Sequence, residues 1–194
     1  MIEIRALRGD DLEAALDDVA ALRIAVFRDW PYLYDGTLSY EQQYLAHYRD
    51  NAEALLVGAF DGDRLIGAST STPMENHADS FAAPLHAMGL PVQSILYGAE
   101  SVIFPAYRGQ GLGSRFISLR EEHCRRLGRR HVAFCSVQRP DAHPARPSGA
   151  RTNDAFWRRH GYAPLPGAVA EFRWLDVGDA VETAKPLQFW LRDV

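Results

Sequence analysis

Lysine is almost absent, with Lys185 alone beside twenty arginines. No lysine follows a glycine-rich turn, and a Walker loop needs Lys then Ser or Thr after its last glycine, which argues against ATP or GTP use. Cysteine is scarce too. Cys124 falls on an expected helix and Cys135 in an expected strand, so they make neither a disulfide framework nor a metal set, and a reducing compartment is expected. No apolar run approaches the length of a membrane span. Met1 to Arg5 shows strand alternation in place of a basic-plus-apolar leader, so the expected location is cytoplasmic, with no membrane partner. Surplus positive charge is missing as well. A formal net charge of −4 argues against a general nucleic-acid binder.

What is present is an ordinary globular composition, 47% hydrophobic and 24% charged, over 194 residues. That length suits one buried core, so a single domain over residues 1–194 is expected. Ile2 to Leu7 reads as a strand. Asp10 with Glu13 has capping-box spacing ahead of a helix with Leu12, Leu16, Val19, Leu22 and Val26 on one face, and Ser39 with Gln42 repeats the signature. Leu55 to Phe60 and Leu65 to Ser71 flank Asp61-Gly62-Asp63-Arg64, a hairpin signal. A weakly helical stretch lies around Ala78 to Met88. Further strands are expected over Ser94 to Phe104, His131 to Val137, Glu171 to Leu175 and Leu187 to Leu191, with a short helix over Asp154 to His160.

The densest chemical signal is Arg108-Gly109-Gln110-Gly111-Leu112-Gly113, where an apolar strand runs through Pro105 into an amphipathic helix. The helix has Leu112, Phe116, Leu119, His123 and Leu127 on its apolar face, with Ser118, Glu122, Arg125 and Arg129 opposite. Backbone amides at such a start have no partner inside the helix, its dipole is positive there, and glycines let a phosphate approach. The alternative is a plain tight turn. A dinucleotide fingerprint fails, because the third small residue falls on Ser114 or Phe116. Residues 108–130 hold seven arginines against Glu121 and Glu122, so the rest of the chain is strongly acidic. A local basic face suits a small polyanion better than a long duplex. Arg125, Arg126 and Arg129 can equally be solvated helix charges.

The run Ile103-Phe104-Pro105-Ala106-Tyr107-Arg108-Gly109-Gln110-Gly111-Leu112-Gly113 resembles the central motif of the GNAT acyltransferase superfamily. Phe156-Trp157-Arg158-Arg159-His160-Gly161-Tyr162 resembles its downstream aromatic element. The resemblance implies an α/β fold with a mixed central sheet of about seven strands flanked by helices, and acetyl-CoA as co-substrate without a metal. It implies that the amides of Gly109, Gln110, Gly111, Leu112, Gly113 and neighbouring Ser114 hold the pyrophosphate with Arg108 nearby. The backbone of Ile103 would then bind the pantetheine, and a backbone N–H of that strand the oxyanion. Asn153 would reach the coenzyme, although it stands three residues closer to the aromatic pair than in the family. Trp157 occupies a coenzyme-side position where many relatives carry an acidic tyrosine; indole can donate a hydrogen bond but no proton. Tyr162 takes a core position. Homodimers are common in the family.

Acyl transfer to an amine needs a base and a fate for the thiolate. Glu100, a carboxylate in an apolar run, is the candidate base, directly or through a water, or else the partner of an arginine. Strand parity groups it with Val102 and Phe104, opposite Tyr97, Ser101 and Ile103. Tyr97 or a water can protonate the thiolate, or no acid is needed. Tyr32 and Tyr34, in an aromatic and acidic loop, either meet an amine or polyamine-like acceptor or anchor the loop. His143 is expected at the acceptor mouth or in solvent; with Asp141 it makes too small a set for a metal. The leading expectation is an acetyl-CoA-dependent N-acetyltransferase for a small-molecule primary amine. A protein or peptide acetyltransferase and a non-catalytic acyl-CoA-binding regulatory module are the alternatives.

Overall fold

Alternating apolar residues build seven strands: β1 (Ile2–Leu7), β2 (Leu55–Asp61), β3 (Arg64–Pro73), β4 (Ile95–Ile103), β5 (His131–Val137), β6 (Ala163–Trp174) and β7 (Thr183–Asp193). In the computed structural model, which describes residues 1–194, they form one sheet in the order β1-β2-β3-β4-β5-β7-β6. Every pairing is antiparallel except that of β4 with β5. The β2–β3 turn is the expected hairpin, with Gly62 at φ +61°, where a side chain would be strained.

Five helices cover the two faces. α1 (Gly9–Phe27), α2 (Leu38–Arg49) and α3 (Asp79–Ala87) lie on one face, α4 (Leu112–Arg126) and α5 (Asp154–Arg159) on the other. The predicted stripe of α1 is buried at Leu12, Leu16, Val19 and Leu22. Burying each contributes about 1.5–3 kcal/mol, enough to hold a helix with no side-chain cap.

Three sets of expectations need correction. Neither capping box forms: the chain is still extended at Arg8 and Thr37, so both helices start earlier than the signatures suggest. Asp10 therefore sits inside the first turn, against the positive end of the dipole, and Thr37 caps α2 by accepting from the Tyr40 amide at 3.4 Å. β6 and β7 are longer than predicted, because Pro164 and Pro186 are tolerated within the ladder and β6 has an irregularity between Pro164 and Val169. Arg129 does not lie on a solvated helix face. α4 ends at Arg126, Gly128 turns the chain at φ +69°, and the Arg129 side chain comes inward onto Glu75 and Glu53. No helix is long and apolar enough to cross a membrane.

Candidate active site

The loop between β4 and α4 carries a run of free donors. The amides of Gly109, Gln110, Gly111, Leu112, Gly113 and Ser114 donate to no acceptor in the protein, and the first bonded amide is Arg115, to Gly111 O at 3.1 Å. Gly109 and Gly111 are in the left-handed region at φ +77° and +83°, with open space on the side a Cβ would occupy. Positive φ at these two points curls the loop so that successive N–H groups converge, which makes an anion cradle. Arg108 is exposed beside it and donates from Nε to Ile103 O at 3.2 Å. The Phe156 ring on α5 closes on Gly113, where an added Cβ would lie 3.2 Å from it. Ser114 Oγ meets His160 Nε2 at 3.0 Å, so its hydroxyl is engaged while its amide is free.

β4 pairs with β5 only from Ile95 to Tyr97, opposite His131 to Ala133. Beyond that the two strands share no ladder, and the gap opens toward the glycine loop. On its other edge β4 is irregular: Thr70 pairs with Glu100 but Ser71 pairs with Gly98, which leaves Ala99 as the extra residue of a bulge. A bulge advances the chain by one residue and breaks strand parity. Tyr97, Ala99 and Glu100 consequently all face one cavity of about 500 Å³. The predicted opposition of Tyr97 and Glu100 is thus overturned. The bulge is held from behind by Arg120 of α4, whose guanidinium donates to Glu100 O at 2.8 Å, Thr70 O at 3.3 Å and Ser69 Oγ at 2.8 Å.

Tyr32 and Tyr34 line this cavity with Phe27, Tyr44, Phe81 and Trp174, and Tyr40 and Phe172 stand at its exposed rim. At the inner end the Glu100 carboxyl is almost inaccessible. It accepts from Thr70 Oγ1 at 2.6 Å and Tyr44 OH at 3.3 Å, and pairs with the buried Arg23 guanidinium, which also pairs with Glu41. Burial alone would lower the Arg23 pKa, but Glu100, Tyr44 and Glu41 outweigh it and hold the guanidinium well above its ordinary value. Burial, then the Cys135 thiol, push the Tyr97 phenol well up, so at neutral pH it stays protonated and can donate a hydrogen bond. Burial pushes His77, which bonds Thr72 Oγ1 at 2.8 Å, down to about 4, leaving a neutral imidazole.

The other predicted residues divide. Asn153 is exposed at the start of α5, without a capping bond, one turn from the Phe156 ring that meets the loop. Trp157 packs between Phe134 and Trp190, each 5.0 Å away between ring centroids, on the sheet face opposite the cavity. Tyr162 is in the core as expected, its hydroxyl donating to Glu121 at 3.1 Å. His143 is not at the cavity; it lines a separate depression beside Arg28 and Asp29, 5.3 Å from the Trp30 ring. Arg139 accounts for this by clamping the start of that loop to Asp176 and to the carbonyls of Pro31 and Tyr32.

Sequence reasoning missed Arg23, Glu41, Arg120 and His77. A signal existed for the first two. Arg23 follows Leu22 in the buried stripe of α1, and Glu41 shares the buried face of α2 with Leu45 and Tyr48 at helical spacing, so two opposite charges sit on apolar faces.

A sequence model of the acetyltransferase (GNAT) family matches residues 19–162, and the chain belongs to that family. It is therefore an acetyltransferase by family. No curated protein matches it in sequence. Solved structures share the fold at low identity. The ribosomal-protein-alanine N-acetyltransferase of Brucella melitensis is 13% identical with TM-score 0.64, over 99% of both chains. The polyamine N-acetyltransferase of Drosophila melanogaster is 13% identical with TM-score 0.60, over 99% of this chain and 100% of that one. The PaiA N-acetyltransferase of Thermoplasma acidophilum, solved in complex with coenzyme A, is 12% identical with TM-score 0.58, over 100% of this chain and 99% of that one.

Proposed function

We propose that the protein transfers an acetyl group from acetyl-CoA to the primary amine of a small molecule. The observation that carries this reading is that one strand serves both halves of the reaction. The end of β4 leads into six free amides fit for a pyrophosphate, while its bulge turns Tyr97 and Glu100 into an aromatic cavity. The amides of residues 109–114, with Arg108, would hold the pyrophosphate, and the Ile103 backbone the pantetheine. The Glu100 carboxyl takes the ammonium proton, directly or through a water. The freed nitrogen lone pair attacks the thioester carbonyl carbon; a C–N bond forms, the C–S bond breaks, and the sulfur leaves as thiolate, which takes up the second nitrogen proton, directly or through a water, to give the neutral amide and the free thiol. The Tyr97 hydroxyl donates a hydrogen bond to that thiolate. A cavity walled by Tyr32, Tyr34 and Trp174 favours a small acceptor over a peptide chain.

The test is amine-dependent release of free thiol from acetyl-CoA by the wild type and Glu100→Gln. The amide retains the shape of the carboxylate, so turnover should fall about 10²-fold with coenzyme affinity nearly intact. Wild-type turnover in the variant would reduce Glu100 to the structural partner of Arg23. Tight coenzyme binding with no thiol release across amines would favour a binding module.

A further inference from the structure

The cavity is charged in one sense. At its inner end Glu100 and, behind it, Glu41 share the single guanidinium of Arg23. Glu41 is wholly buried and its Oε1 has no hydrogen-bond partner. Two carboxyl groups against one guanidinium, in a region of low dielectric, favour an arriving cation. No unpaired cation faces the inner end, where Arg23 is taken by Glu100 and Glu41. His77 is neutral, and Arg139 and Lys185, behind Trp174, are both bound to Asp176. Arg173 reaches the cavity only at its exposed mouth, where it donates to Glu182 O at 2.7 Å. Between mouth and inner end the wall is apolar: 14 of the 21 lining residues are hydrophobic, several of them aromatic.

We propose that the acceptor is a primary monoamine with an aromatic or apolar body, an arylalkylamine in chemical class, and that the site rejects α-amino acids. The inference rests on reading this cavity as the acceptor site. An ammonium at Glu100 is stabilised by the carboxyl excess, and faces of neighbouring rings add cation–π attraction. In an α-amino acid the carboxylate is one carbon from the nitrogen, so it would lie against Glu100 with no free cation to pair with, a desolvated and repelled charge. A polyamine fails at the other end. Its further ammonium groups would lie desolvated along the apolar wall; at the rim Asp35 is already bonded to Arg28 at 2.6 Å, and the remaining carboxylate, Glu182, is exposed and holds a cation only weakly.

The experiment measures acetyl-CoA-dependent rates for phenethylamine, phenylalanine methyl ester, phenylalanine and spermidine, with calorimetric binding of each in the presence of coenzyme A. The first three share one ring and differ at the carboxyl. The expected kcat/KM for phenethylamine is about 100-fold or more above phenylalanine, with the ester close to phenethylamine and spermidine below it. Phenylalanine or spermidine equal to or above phenethylamine overturns the inference while leaving amine transfer standing. Selective phenethylamine binding without turnover supports the inference and overturns amine transfer. Failure of all four to bind or react overturns the inference.

Discussion

The guanidinium of Arg120 lies directly beneath Gly98, so close that a methyl group there would come within 2.5 Å of its Cζ. Gly98 is the residue before the bulge, and Arg120 bonds the Thr70 and Glu100 carbonyls on either side of it. The absent side chain is what lets a buried cation support the turn of strand that aims Glu100. Gly98→Ala should displace Arg120, cost about 1–3 kcal/mol of stability through acceptors left unpaired, and lower turnover more than coenzyme affinity. Urea melts and kinetics on the folded variant check this; unchanged turnover in a destabilised protein would confine Arg120 to packing.

A second prediction separates charge from backbone strain at the glycine loop. Gly111 sits at φ +83°, which Asn and Asp adopt more readily than other residues with side chains. Gly111→Asn should bind acetyl-CoA with moderately reduced affinity. Gly111→Asp places a carboxylate among the free amides and should lose binding about 100-fold more. Equal affinities for the two variants in calorimetry would remove the pyrophosphate from this loop.

The glycine loop, the β2–β3 hairpin and the span of β5 were legible because each depends on neighbours in sequence: φ-permissive glycines, a turn tetrapeptide, an apolar run. Glu100 stood out for the same reason, as a charge in such a run. Its partner and its direction did not. The bulge at Ala99 depends on Arg120, and the Arg23–Glu41 pair joins two helices, so both are decided by tertiary packing. The position of His143 away from the cavity was not legible for a similar reason, since the Arg139 clamp to Asp176 sets the course of its loop.

The pH dependence of stability follows from His77. Burial lowers its folded pKa from 6.5 to about 4, so the unfolded chain binds the proton first as pH falls. Stability is fully present above pH 6.5 and is lost on acidification toward pH 4, by about 2 kcal/mol at pH 5 from this group. His123, also pushed down by burial, acts in the same window. Glu75 and Asp176, whose arginine and lysine hydrogen bonds outweigh burial and lower their pKa values, lose stability only below the ordinary carboxylate range. Urea midpoints for His77→Gln, which retains a partner for Thr72, should fall less between pH 6.5 and 5 than those of wild type. Parallel curves would show that His77 accepts its proton without cost in the folded state.

The last prediction concerns Trp157, where family pattern and packing give different answers. Its ring fills the space between Phe134 and Trp190, away from the cavity that holds Tyr97 and Glu100. If its work is packing, Trp157→Phe should keep most activity, at a stability cost of about 1–3 kcal/mol for the smaller ring. Trp157→Tyr should not speed the reaction, because a thiol of ordinary pKa is a tolerable leaving group and the Tyr97 hydroxyl already faces the cavity. If instead an acid is needed and is missing, Trp157→Tyr should raise kcat at least tenfold, about 1.4 kcal/mol of barrier. Single-turnover rates distinguish the two, since they follow the chemical step without product release. The packing found here predicts no gain, and a tenfold gain would make protonation of sulfur the step that limits the natural protein.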